Sequence, residues 1–582
     1  MKGSNFVVKM IISLAFILAC VVFFYTYIKT PYPVEQKNTN NSQLDKWSLE
    51  NSALNGAPLV ENKNIYDFSK NEEMTKIYIT VFPTSDTSGK LRKFSEYNLL
   101  TRKDKPDIFS LDANVEFGDA NGDLNEVKNP DVINAAFSIR GSSTLNSAFK
   151  SYKIKLKNGT DTFYGQKTLN LNKHAFDISK ISNKFSMDMM STVPNISSLR
   201  TNFILVYIRD ASLPQSAQSY KYYGLFTNVE NPNKSSLNIR GFDGNGNMYK
   251  AINFLFQLNP DLKNVNDPTY NKASFEKVLQ VKTGTDHSKL LNMLKDINDM
   301  NKDFNTSFKK YFNEENYLTW IACNILLGNE DTINQNFIIY SPTNSLTWYL
   351  MPWDYDGTFH FGKYQSHYSA PLSLKGVQRI TGLTLHKRYF KQPGNLLKLT
   401  NKIKELLANN FTKDKVSALL NSYRPVLAAT IPKTPDLIIS SLRPNEFNAY
   451  LNQFYNQILV NYNKFLKSNN FPSPVFVAEP VRHKNGNVDL SWEPSFDYQG
   501  DLVHYSVTFA KDSSMKNVVF SAKNLTQQQY TYKKKIPKGT YYLKVSIIDS
   551  SGKVQCSRDV YEDVSKVYGV LPHFGVSQVV FR

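Results

Sequence analysis

Cysteine is nearly absent: Cys20, Cys323 and Cys556 are the only three in 582 residues. That excludes a disulfide framework and any thiolate zinc site of known spacing. No stretch concentrates arginines together with stacking aromatics, which excludes a specific nucleic-acid interface. Charge of one sign is in excess, with 69 Lys and Arg against 50 Asp and Glu, a formal +19. The excess is spread along the chain in short clusters such as Lys533-Lys534-Lys535. It serves solubility and suits contact with an anionic cell wall. A 41% hydrophobic and 13% aromatic content is that of a folded chain, long enough for two or three units.

One long apolar run stands out. Residues Met10 to Ile28, bounded by Lys9 and Lys29, span roughly 28 Å as a helix, close to a bilayer core. Lys2 and Lys9 keep the amino terminus inside. The expectation is a retained single-pass transmembrane helix over 1–30, with the bulk of the chain outside the cytoplasm. A cleaved leader would need small residues where Phe23 to Lys29 stands, and a lipoprotein reading of Cys20 conflicts with bulky Leu18. Residues 31–75 are polar, lack periodicity and read as a solvated linker.

Lys76 to Phe82 alternates as a strand and opens a domain over 76–470. Asp119, Asn121 and Asp123 alternate as in calcium loops, but Leu124 stands where such loops need Gly, so the segment reads as a polar turn. Strands continue to about residue 255. Asn313–Leu327, Leu396–Leu420 and Pro444–Leu466 then carry helical spacing. A strand-rich half followed by a helix-rich half predicts an α+β domain of two lobes. Beyond Phe471-Pro472-Ser473-Pro474, short alternating strands predict an all-β sandwich over 471–560, with Trp492 in its core and a tail over 561–582. Its wording, LSWEPSFDYQGDLVHYSV and later GTYYLKV, resembles a fibronectin type III module.

The chemistry concentrates in Asn313 to Gly362. An amphipathic helix ends at Gly328, suited to a left-handed cap. GNEDTINQN follows, then the strand FIIY, a turn near Thr343 and Asn344, and the strand TWYLMPWDYDG. A hairpin folded there sets Asp331 against Asp356 and Asp354 opposite Ile333, near Asn334 and Asn336. Two carboxylates 4 Å apart repel by roughly 4 kcal/mol at an effective dielectric of 20, so such a cluster calls for a shared proton or cation. All-oxygen ligands select magnesium or manganese. Upstream, Arg140-Gly141-Ser142-Ser143 makes a tight turn whose N–H groups suit phosphate oxygens, and Lys150 and Lys153 follow on a strand. Asp331 and Asp356 would also serve a glycan hydrolase as an acid–base pair.

Five segments in order, namely RGSS with KSYKIKL, YKYYGLFTNVEN, NMYKA, LGNED to Asn336, and MPWDYDGTF, resemble the CotH (spore-coat-protein-H-like) kinase family over about residues 76 to 468. The resemblance implies an atypical protein-kinase-like fold that binds ATP with Mg2+ or Mn2+ and phosphorylates Ser or Thr of coat or surface proteins. It implies that Asp331 orients the acceptor hydroxyl, that Asn336 and Asp354 hold the metal with Asp356 beside them, and that Lys150 touches phosphate. It places Glu230 in the nucleotide cleft and Arg140, Ser142, Ser143 and Lys153 around the phosphates. The family often follows RGSS with a Pro-Lys-Lys-like run, and here Phe149 and Lys150 occupy the second and third positions, so fewer phosphate cations are expected. A non-catalytic surface or coat-assembly scaffold on the same fold is the alternative.

Overall fold

The computed structural model describes residues 56–67, 74–118, 127, 129–359, 370–565 and 569–582. The apolar run at Met10–Ile28 and the Asp119–Asp123 turn lie outside them. Among the described residues no helix is long and apolar enough to cross a membrane.

Alternation of apolar and polar residues builds a closed seven-stranded barrel. Its strands are β1 (Thr75–Val81), β2 (Leu111–Phe117), β3 (Ala135–Arg140), β4 (Ser151–Leu156), β5 (Thr168–Asn172), β6 (Thr201–Asp210) and β7 (Lys221–Glu230). They run β1-β2-β3-β4-β5-β7-β6, and a parallel β1–β6 pair closes the ring. Ile77, Ile79, Phe137, Ile154 and Phe226 fill the interior. The α+β expectation is met. Closure was not legible, because alternation fixes which face is apolar but not how many strands close on themselves.

A second, four-stranded sheet, β9-β8-β10-β11, comprises β8 (Asn247–Ala251), β9 (Leu279–Thr283), β10 (Phe337–Ser341) and β11 (Tyr349–Pro352). Helix α2 (Glu314–Leu327) packs on it, and α1 (Ser182–Ser191) packs against barrel strand β6 and the turn that follows β11. Asn313 caps α2 through Asn316 N–H, and Gly328 ends it at φ 65°, the left-handed cap its sequence called for. The expected single helices at Leu396–Leu420 and Pro444–Leu466 are each two: Thr412 caps a new helix at Lys413, and the chain breaks again between Leu451 and Phe454.

The linker expectation fails for residues 56–67. Leu59 is buried in the main core, Asn313 Nδ2 donates to Gly56 O at 2.7 Å, and Glu61 pairs with Arg240 at 3.1 Å. The C-terminal sandwich has a three-stranded and a five-stranded sheet, with Trp492 in their shared core. Its expected tail is partly strand: Val576–Phe581 pairs with Gly539–Asp549. Tails and linkers of mixed polarity hide such roles, because their apolar partners lie far along the chain.

Barrel and helical half are tied by a buried charge group. Asp436, fully buried, accepts from Lys173 Nζ at 2.8 Å and from Leu225 N–H of β7 at 2.7 Å, with Lys180 Nζ at 3.7 Å. Truncating one member of a buried pair leaves uncompensated charge. Asp436→Ala is expected to lower unfolding stability by about 3–5 kcal/mol in urea titrations. A loss below about 1 kcal/mol would show that the two lysines find other partners.

Candidate functional site

The predicted hairpin forms, with Phe337 opposite Pro352 and Tyr340 opposite Tyr349. Its register differs by two residues from the fold-back expected at Thr343 and Asn344, and a shift of two keeps every side chain on its expected face. β11 ends at Pro352, and a 3-10 turn over Tyr355–Gly357 replaces the strand expected to run through Asp356.

The five-residue spacing from Asp331 to Asn336 becomes a direct contact: Asn336 Nδ2 donates to Asp331 Oδ2 at 2.6 Å, and Gln335 Nε2 donates to Oδ1 at 3.0 Å. Asn336 and Asp354 both adopt left-handed backbone, φ 60° and 62°. Asn and Asp tolerate that region better than other non-glycine residues, and such conformers gather at functional sites. Helix α1 fixes the second element, since Asn183 Oδ1 accepts from Tyr355 N–H at 3.1 Å and Thr358 Oγ1 donates to Ser182 O at 3.3 Å. Gly357 lies on Asp331: a Cβ there would stand 3.1 Å from Asp331 Cβ.

Asp331, Asp354 and Asp356 are all half-buried. Burial, then the Asp354 carboxylate, pushes Asp331 up to about 6. Burial, Asp354, Asp331 and Asp177 raise Asp356 well above the usual carboxylate range, against Arg140. Excess negative charge of this kind, on oxygen ligands alone, fits a hard divalent cation. The three are not gathered as tightly as the hairpin drawn from sequence implied. Among the described residues only Asp497, Asp501 and Asp549, in the C-terminal sandwich, bring three carboxylate oxygens within 4.8 Å of one another. The 3-10 turn accounts for the difference, because it draws Asp356 out of strand register. Asn336 and Asp354 are the residues suited to hold the cation, with Asp356 beside them.

A cluster of cations adjoins this acidic group at Arg140. Ile139 and Ile154 point into the barrel, so Arg140 on β3 and Lys153 on β4 share its outer face. Arg140 lies within electrostatic reach of Asp354 and Asp356. Lys282 of β9 is pushed down to about 8 by burial and by the charges of Lys250, Lys153 and Arg140. Among the described residues the side chains of Arg140, Lys153 and Lys282 form no hydrogen bond or ion pair. Lys250 of β8 and Lys282 of β9 thus add cations beside Arg140, on segments that carry no local sign of it.

Two other assignments change. Lys150 shares the inward parity of Tyr152 and Ile154, and its ammonium donates to Leu100 O at 2.7 Å and to Leu145 O at 2.5 Å. It therefore pins the Ser143–Asn146 turn, and Lys153 is the lysine that joins the site. Ser142 and Ser143 begin that turn, and among the described residues no hydrogen bond ties their hydroxyls to the acidic group. Glu230 is buried between Arg200, at 2.7 Å, and Arg240, a structural cluster rather than a nucleotide contact. Its partners lie on other segments, so sequence spacing could not reveal them.

Sequence reasoning missed His174, Asp177 and Lys180 after β5. His174 and Lys180 have positive φ, and His174 is 4% exposed with its Nε2 unpartnered. Asp177 caps the entry to α1 through Ser182 N–H at 2.8 Å.

The CotH kinase protein family model matches residues 137–460. Inner spore coat protein H of Bacillus subtilis (strain 168) is 24% identical over 318 residues, 54% of this chain and 83% of that protein. Two solved structures overlap parts of the chain. The Helicobacter pylori proinflammatory kinase CtkA matches at 12% identity and TM-score 0.19, covering 59% of this chain and 96% of its own. A Fn3-like protein from Clostridium thermocellum matches at 22% identity and TM-score 0.11, covering 13% and 75%.

A carboxyl raised in the folded state stabilises less as pH climbs from its unfolded value to its folded one. Replacing Asp331 by Asn is therefore expected to stabilise the metal-free protein at pH 7 by on the order of 1–2 kcal/mol. The gain should vanish below about pH 4, where the wild-type carboxyl is protonated in both states. Equal stability of the two proteins at pH 7 would contradict the charge crowding.

Proposed function

The chain belongs to the CotH kinase protein family, and from that premise we propose that it is a metal-dependent protein Ser/Thr kinase using ATP. Its substrates are coat or surface proteins, in keeping with the spore-coat relative, and Met10–Ile28 anchors it in the membrane with the domain outside the cytoplasm. The observation that carries this reading is a crowded carboxylate group joined at Arg140 to a cluster of cations. The carboxylates of Asp354 and Asp356 act on Arg140, and Arg140 in turn lies within electrostatic reach of Lys153 and Lys282. A triphosphate with a divalent cation is the ligand chemistry that neutralises both together.

Asn336 and Asp354 would hold Mg2+ or Mn2+, which when bound neutralises charge on the transferred phosphoryl group. Arg140, Lys153 and Lys282 bind the phosphate oxygens. Asp331 orients the acceptor hydroxyl, whose oxygen attacks the γ-phosphorus as the bond to the β,γ-bridging oxygen breaks. A carboxylate with a pKa of about 6 is suited to take that proton near neutral pH. The two amide donors from Gln335 and Asn336 fix its orientation. The scaffold alternative keeps the same fold without turnover.

Asp354→Ala is expected to abolish transfer of the γ-phosphate to a Ser-rich protein, a loss of at least about 10³-fold in kcat. Lys153→Met should raise the KM for ATP by about tenfold or more, whereas Lys150→Met should leave it within about twofold. Transfer that survives Asp354→Ala would overturn the assignment, and no transfer by the wild type would favour the scaffold.

A further inference from the structure

The C-terminal sandwich does not hang from the main domain as a spacer. Its residues grip the short helix α3 (Val377–Ile380), whose other side holds the residue preceding Asp331. Arg558, 9% exposed, donates from Nη1 to Gln378 O at 2.8 Å and from Nη2 to Thr381 Oγ1 at 2.7 Å. Tyr498 OH donates to Gln378 Oε1 at 3.0 Å, and Gln555 Nε2 donates to Ser373 O at 2.6 Å. From the opposite side Arg379 Nε donates to Glu330 O at 2.9 Å, and Lys375 and Arg379 both pair with the Glu330 carboxylate.

A helix of four residues cannot hold its own shape, since isolated helices below about 12 residues are marginal in water. Its position is therefore set by the groups around it: Val377 buried in the main core and Gln378 Nε2 on Ser468 O at 3.3 Å beneath it, the sandwich on one side and Glu330 on the other. Asp331 is the next residue in the chain. We propose that the sandwich is a working part of the phosphotransfer site and that Arg558 is a positioning residue for Asp331, acting through Gln378, Arg379 and Glu330. The proposal rests on the kinase reading for its effect on rate, and on contacts alone for its effect on structure. Arg558 lies 227 residues from Asp331 in sequence and beyond the family-matched segment, so the coupling is a property of this two-unit chain.

The test uses the full chain with Arg558→Met, Arg558→Lys and the milder Tyr498→Phe. For Arg558→Met, kcat should fall by about 10- to 100-fold with the KM for ATP within about twofold, because a carboxylate misplaced by about 1 Å costs rate and not nucleotide affinity. Arg558→Lys, which keeps one donor, should recover part of the loss, and Tyr498→Phe should lower kcat by a smaller factor. Backbone amide hydrogen exchange over 329–336 should quicken in Arg558→Met and Tyr498→Phe. Exchange that rises only within 471–582, with kcat unchanged, would overturn the proposal. Should the wild type show no Asp354-dependent transfer, the kinase reading fails by itself. Exchange over 329–336 then decides the coupling, and an unchanged rate there overturns it.

Discussion

Burial of like charges without direct ion pairs governs this site. Asp331, Asp354 and Asp356 crowd together, and Arg140, within reach of Asp354 and Asp356, gathers Lys153 and Lys282 about it. Neither group relieves the other by direct ion pairing among the described residues. Burial raises the energy of the ionised forms and like charges add to it, visible as the carboxyls of Asp331 and Asp356 drawn up and Lys282 drawn down. A protein keeps such an arrangement at the expense of stability, and it can do so only where the surrounding backbone is held firmly.

The framework meets that demand from several directions. Helix α1 fixes the turn after Asp354 through Asn183 and Ser182. The loop before β10 is laced by side-chain amides: Asn329 Nδ2 donates to Thr332 Oγ1 at 2.6 Å, and Asn334 Nδ2 donates to Asn253 Oδ1 at 2.6 Å. Lys173 and Asp436 lock the barrel against the helices, on the segment that also carries His174 and Asp177. The Arg558 contacts extend the same grip from the C-terminal sandwich. Positive φ at Asn336 and Asp354 persists because neighbours on both sides over-determine it.

What the sequence disclosed follows the range of each interaction. The Gly328 cap, the hairpin and the nearness of Asp331 and Asn336 are local, and residue type with spacing was enough to find them. The choice of Lys150 over Lys153 failed on strand parity, which depends on where β4 begins, a matter of one residue. Glu230 failed because Arg200 and Arg240 come from other segments. Lys250 and Lys282 sit on strands paired only in the folded sheet, and Arg379 reaches Glu330 from a short helix with no periodic signal. Sequence reveals which groups a site owns along one segment, whereas its electrostatic balance is assembled from segments far apart.

The central claim is tested most directly by a crystal structure with Mn2+ and a non-hydrolysable ATP analogue. The account predicts anomalous density coordinated by Asn336 and Asp354, with the phosphates on Arg140, Lys153 and Lys282. Anomalous density elsewhere, or phosphates bound away from those three cations, would contradict it.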